Sequence, residues 1–107
     1  MTLPEITHLQ FLVLAGLREA DRAGRDLRAL LAAHGLRRSA PAFYQMMARL
    51  EDAGLVTGRY EQSVQDGQAL KERCYAITAA GEAAWADTCD FYRGAIPGGL
   101  TAEESRG

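Results

Sequence analysis

Residues 39–56 read Ser-Ala-Pro-Ala-Phe-Tyr-Gln-Met-Met-Ala-Arg-Leu-Glu-Asp-Ala-Gly-Leu-Val, an amphipathic helix that stops at a glycine and runs into a strand. Phe43, Met46, Met47 and Leu50 recur at i, i+3, i+4 and i+7, so one stripe is apolar. The opposite stripe, Pro41, Gln45, Ala48 and Asp52, is small or polar and is flanked by Tyr44 and Arg49. Ser39 is a good N-cap, Pro41 falls in the first turn where a missing N–H costs nothing, and Gly54 permits the abrupt exit. No acidic residue occurs between Asp26 and Glu51, whereas Arg28, Arg37, Arg38 and Arg49 do. An uncrowded polar face framed by arginines suits insertion into a DNA groove.

Working outward, Arg25 to His34 reads as a helix with Leu27, Leu30 and Leu31 inward, ended by Gly35 in a left-handed C′ position. Leu36-Arg37-Arg38 is then a tight turn between two helices. Upstream, Thr7 to Ala20 is a first helix with Ile6, Leu9, Val13 and Leu17 on one side. Phe11, Leu12 and Leu14 extend its apolar surface, which predicts burial on more than one side, the second cover being another subunit. Downstream, Leu55 to Gln62 and Leu70 to Thr78 read as strands joined across Asp66-Gly67, a turn signal. From Thr78 the helical period returns through Ala80, Ala84, Trp85, Thr88, Phe91 and Tyr92. Residues 95–107, with Pro97-Gly98-Gly99 and two adjacent glutamates, read as a disordered tail beyond a domain of residues 1–94. The predicted class is mainly α with a small β-hairpin, an α+β winged helix-turn-helix with an additional C-terminal helix.

Composition narrows the function classes. The 107 residues suit one domain near the size where a second subunit often helps. The longest apolar run, Phe11 to Leu17, is too short to span a bilayer. Met1–Gln10 lacks the basic start and cleavage site of a signal peptide, so the expected compartment is the cytoplasm. Cys74 and Cys89 match no metal-ligand spacing and are expected as reduced thiols, while His8 and His34 are isolated. No catalytic constellation and no phosphate-cradling glycine loop is present, so neither an enzyme nor a cofactor is expected. The net charge of −2 conceals a gradient, with the acidity concentrated in the last third. That distribution permits a local positive face.

Two blocks carry a family resemblance. Ser39, Tyr44, Arg49, Leu50, Glu51, Gly54, Leu55 and Val56 form the first, and Arg73, Tyr75, Ile77, Thr78 and Gly81 the second, with Gly24 upstream. Together the chain resembles the PadR family of bacterial winged-helix transcriptional regulators over residues 6–93, although Arg25 departs from the family's usual aromatic residue. The resemblance implies a homodimer of the short branch, paired through the first and last helices, with Phe11, Leu14, Trp85, Phe91 and Tyr92 as candidates. Trp85 has an alternative as filling of the protomer's own core. Such a dimer would set two third helices about 34 Å apart on a palindromic double-stranded operator.

Recognition helices read bases with their N-terminal residues, which favours Ser39, Ala42, Tyr44 and Gln45. Gln45 can pair with adenine and Ala42 can pack on a thymine methyl. Tyr44 either donates to a phosphate or packs across the helix-turn-helix. Arg49 either contacts phosphate or pairs with Asp52. Arg37 and Arg38 precede the helix where the chain passes a phosphate backbone, and Lys71 and Arg73 lie on the returning wing strand. Glu61, Asp66 and Glu72 share that hairpin and weaken its field. The leading expectation is a sequence-specific repressor. The alternatives are a winged-helix interaction module without DNA binding, and an added sensor function in which a small effector enters near Trp85.

Overall fold

In the computed structural model, which describes residues 5–96, the chain runs α1 (His8–Glu19), β1 (Arg22–Ala23), α2 (Gly24–Ala33), α3 (Ala40–Asp52), β2 (Val56–Gln65), β3 (Gln68–Ile77) and α4 (Ala79–Ala95). The strands form one antiparallel sheet of order β1-β3-β2. This is a winged helix-turn-helix with an added C-terminal helix, as the sequence predicts.

Side-chain and glycine caps set the element ends. Thr7 and Gln10 close a reciprocal capping box on α1. Gly35 (φ +80) and Gly54 (φ +77) occupy the left-handed positions after α2 and α3. After each helix the next two amides turn back onto it: Gly35 N–H to the Ala32 carbonyl and Leu36 N–H to Leu31, then Gly54 to Glu51 and Leu55 to Leu50. These paired bonds are Schellman closures, with Leu36 and Leu55 packed against the core beside the helices they end. Thr78 ties three elements together. Its hydroxyl donates to the Gly54 carbonyl (2.6 Å) and accepts from the Gly81 amide (3.0 Å), while its amide donates to Leu55.

The core lies where α1, α2, α3 and the base of the hairpin meet, around Val13, Leu14, Leu17, Leu27, Leu31, Phe43, Met47, Leu50, Val56 and Tyr75. The stripe Phe43, Met46, Met47 and Leu50 is buried throughout, and each such side chain contributes about 1.5–3 kcal/mol by leaving water. Gly81 allows α4 to approach closely, since a Cβ there would overlap the Leu55 carbonyl and lie 2.7 Å from Ile77 Cγ1.

The structure differs from the sequence reading in three places. β1, two residues long, adds an edge strand by pairing Arg22 with Tyr75 and Ala23 with Cys74; a strand this short leaves no alternating pattern to read. β2 and β3 continue up to a two-residue turn, because Asp66 (φ 54) and Gly67 (φ 79) both take the positive φ of a type I′ turn whose twist matches the strands. α4 continues through Ala95, so the predicted tail does not begin there, and the rest of it, 97–107, lies outside the described residues. No helix among the described residues is long and apolar enough to cross a membrane.

Candidate nucleic-acid interface

α3 buries one face and leaves Ser39, Pro41, Ala42, Gln45, Ala48, Arg49 and Asp52 exposed on the other. The Ser39 hydroxyl accepts from the Ala42 amide (3.2 Å), which fixes the chain's entry into the helix. Ala42 and Gln45 lie open beside it. Tyr44 packs across the helix-turn-helix: its ring meets Phe43 edge-on at 5.0 Å, and a Cβ on Gly24 would sit 2.6 Å from its hydroxyl. Glycine at position 24 is thus the space in which the Tyr44 ring lies. Arg49 forms no ion pair with Asp52 and remains exposed.

The turn before α3 is braced by its own arginines. Arg28 on α2 donates to the Arg38 carbonyl (3.3 Å), and Arg38 donates to the Arg37 carbonyl (2.9 Å). Both turn arginines stay exposed, and neither meets a carboxylate.

The wing's acidity is sorted by the pleat. Residues facing each other across the ladder share a face, so Tyr60 and Arg73, and Gln62 and Lys71, lie on one side. Glu61 and Glu72 lie on the other, directly opposite one another. Each of those carboxylates is held by its own arginine: Arg59 reaches Glu61 at 2.6 Å and Arg25 reaches Glu72 at 2.8 Å. The face with Lys71 therefore carries no glutamate, and Asp66 stands at the turn. Tyr60, 61% exposed, lies under the cations of both Lys71 and Arg73, each 4.8 Å from its ring. Sequence reasoning missed Tyr60, although its pleat parity with Lys71 was available.

Arg73 departs from its expected role. Its guanidinium lies 2.6 Å from Glu51 on α3, in space that Gly58 leaves open, and above Tyr60. The charge is committed to joining the wing base to the end of α3. Among the described residues, Arg18, Arg22, Arg25, Arg59, Arg73 and Arg93 all meet carboxylates. The cations left without one are Arg28, Arg37, Arg38, Arg49 and Lys71, which gather around α3 and the wing.

Among the candidate dimer residues, Leu14 is corrected: at 0% exposure it is core and presents nothing to a partner, because α1 turns Leu14 inward with Val13 and Leu17. Phe11 and Trp85 stack in parallel within the protomer at 6.3 Å, with the Arg18 guanidinium 3.7 Å over the indole and 2.7 Å from Glu82. Trp85 thus packs against the core's edge, half-buried. Phe91 and Tyr92 pair edge-on at 5.2 Å beyond Thr88, past the last buried residue of α4, with Tyr92 exposed. Burial pushes the Cys74 thiol up from its ordinary value, as befits an unreactive thiol.

Comparisons with known proteins agree with this geometry. The model of the transcriptional regulator PadR-like family matches residues 13–87. A PadR-family transcriptional regulator from Eggerthella lenta is 32% identical, with a TM-score of 0.56 over 77% of this chain and 75% of that one. A PadR-family regulator from Clostridium difficile gives a TM-score of 0.65 at 17% identity, covering 81% and 88%. Bacillus subtilis PadR, in a structure with operator DNA, gives 0.61 at 20% identity, covering 76% of this chain and 46% of that one. No curated protein matches the chain. The matched family model spans the helix-turn-helix, the wing and the start of α4, and the chain belongs to the PadR-like family of transcriptional regulators.

Proposed function

We propose that the protein is a homodimeric repressor that binds a palindromic operator through α3 and the wing. The observation that carries this reading is the sorting of charge. Among the described residues, Arg18, Arg22, Arg25, Arg59, Arg73 and Arg93 are neutralised by carboxylates and Arg28 braces the turn, whereas Arg37, Arg38, Arg49 and Lys71 stay exposed without carboxylates around the open face of α3. Cations left free beside a polar helix face are what phosphate contact requires. In this arrangement Gln45 and Ala42 read bases, Ser39 positions the helix start, Arg37 and Arg38 hold the backbone, and Lys71 with Tyr60 contacts DNA from the wing. The alternative reading, an interaction module without DNA binding, rests on the wing's acids and the net charge of −2; against it stand the ion pairs of Glu61 with Arg59 and of Glu72 with Arg25 on the face away from Lys71.

Dimerisation would proceed through the end of α4, where Phe91 and Tyr92 extend beyond the core, together with Phe11 at the edge of α1. A response to a small effector is supported by Trp85, whose indole N–H is buried without an acceptor beneath Arg18. Genomic selection followed by gel shift across a salt series tests the DNA reading. Salt-sensitive binding to a fragment with inverted half-sites is expected; no binding to any fragment refutes it. Unchanged Trp85 fluorescence across aromatic and cationic compounds would remove the effector site.

A further inference from the structure

β2 and β3 each run ten residues, so the hairpin extends about 34 Å. Its base packs on the core through Val56 and Tyr75, but its outer part, from Tyr60 to Glu72, projects with mostly exposed side chains. Among the described residues, one side chain from outside the hairpin bonds to that outer part. Arg25, in the first turn of α2, meets Glu72 on β3 at 2.8 Å through Nε and donates to Gln65 on β2 at 3.1 Å through Nη1. A single guanidinium thus holds both strands against the helix-turn-helix. Its removal would leave Glu72 without a cation, opposite a Glu61 that Arg59 already holds, and would free the outer wing from α2. Glu72 is also the less exposed partner, 20% against 54% for Arg25, so Arg25 covers the carboxylate on the face of the wing turned toward α2.

We infer that the Arg25–Glu72 pair, with Gln65, is a latch that sets the angle of the wing relative to α3, making Arg25 and Glu72 positioning residues for DNA binding without contacting DNA. This rests on the DNA-binding reading above. The latch places Tyr60 and Lys71, on the opposite face of the same strands, at a fixed angle to the α3 surface.

The sign of the Glu72→Gln effect separates this from simple electrostatics. Deleting a carboxylate near DNA should tighten binding, whereas opening a latch should weaken it. The test compares Arg25→Met, Glu72→Gln, the double variant and the exchange R25E/E72R, on a fragment selected with the native protein. Each single variant should bind about fivefold more weakly, the measure of a well-formed exposed ion pair. The double variant should be no worse than either single one, the exchange should restore affinity, and the salt slope should stay unchanged throughout. Backbone amide order parameters over Gln62–Leu70 should fall in the single variants and recover in the exchange, with or without DNA. Tighter binding by Glu72→Gln, a shallower slope in Arg25→Met, or unchanged order parameters overturns the latch. If the native protein binds no DNA while the order parameters follow the predicted pattern, the DNA reading fails and the latch stands as a feature of the wing.

Discussion

Replacing Arg37 and Arg38 together by alanine removes two of the exposed cations that no carboxylate neutralises. Among the described residues, the four such side chains per protomer, Arg37, Arg38, Arg49 and Lys71, set a ceiling on counterion release from this face. At about 0.9 counterion per phosphate neutralised, a native half-site has a log–log salt slope no steeper than about −3.6, and the double variant about −1.8. Between 50 and 200 mM salt the native protein then loses about 150-fold in affinity per half-site and the variant about 12-fold. Two half-sites double each slope. The substitutions leave the core intact, since both side chains are exposed and only that of Arg38 bonds within the protein, to the Arg37 carbonyl. Fluorescence anisotropy on a labelled operator at five salt concentrations measures the slope, and circular dichroism verifies the fold. A slope unchanged by the double substitution refutes the assignment of phosphate contacts to this turn, even if affinity drops. A native slope much steeper than the ceiling would show that arginines paired here exchange their carboxylates for phosphates.

Three further outcomes follow from the packing. Gly81→Ala places a Cβ into the Leu55 carbonyl, which cannot move without disturbing the Schellman closure of α3. Such overpacking costs about 1–3 kcal/mol, reduced by the ~1 kcal/mol helix preference of alanine; an alanine variant melting at or above the native temperature contradicts the close approach. Burial pushes the Tyr75 hydroxyl up to about 12, so the folded protein keeps a proton that the unfolded chain releases near pH 10. Stability from this group is complete below pH 10 and falls by about 1.4 kcal/mol per pH unit until about pH 12. Urea midpoints for the native protein and Tyr75→Phe should converge in that interval, and parallel alkaline curves would exclude this origin. Tyr92→Glu, on the exposed end of α4, should turn the proposed dimer into a monomer by sedimentation velocity without lowering helix content; an intact dimer places the interface elsewhere.

How much was legible in the chain depended on the range of each interaction. The ends of α2 and α3 were readable because a left-handed glycine and a local apolar stripe act within a few residues. The Asp66-Gly67 turn was readable for the same reason, although the strands reach closer to it than their composition suggests, since ladder hydrogen bonds extend pairing through polar residues. Gly81 at N3 has no side chain for capping, and the structure shows its purpose as the close approach of the last helix to Leu55 and Ile77. The candidate site was less legible. Arg73 and Arg49 look equivalent as isolated letters, yet one is bound to Glu51 and the other is free. Leu14 and Phe11 likewise lie on one apolar helix, and only packing turns Leu14 fully inward.

The sequence alone determined the helix-turn-helix, the place of the wing turn at Asp66-Gly67 and the lack of acids between Asp26 and Glu51, because capping, turn conformation and hydrophobic period are local properties. Tertiary structure decided which charges remain available. Arg25 and Glu72, Arg59 and Asp21, and Arg73 and Glu51 are far apart in the chain, and a guanidinium is neutralised by whatever carboxylate the fold brings within a few ångströms. The fold also separated the wing's acids from its binding face, since alternate residues of a strand point to opposite sides of the sheet. What composition presents as an acidic wing is one face of neutralised ion pairs, another carrying Tyr60 and Lys71, and a lone Asp66 at the turn.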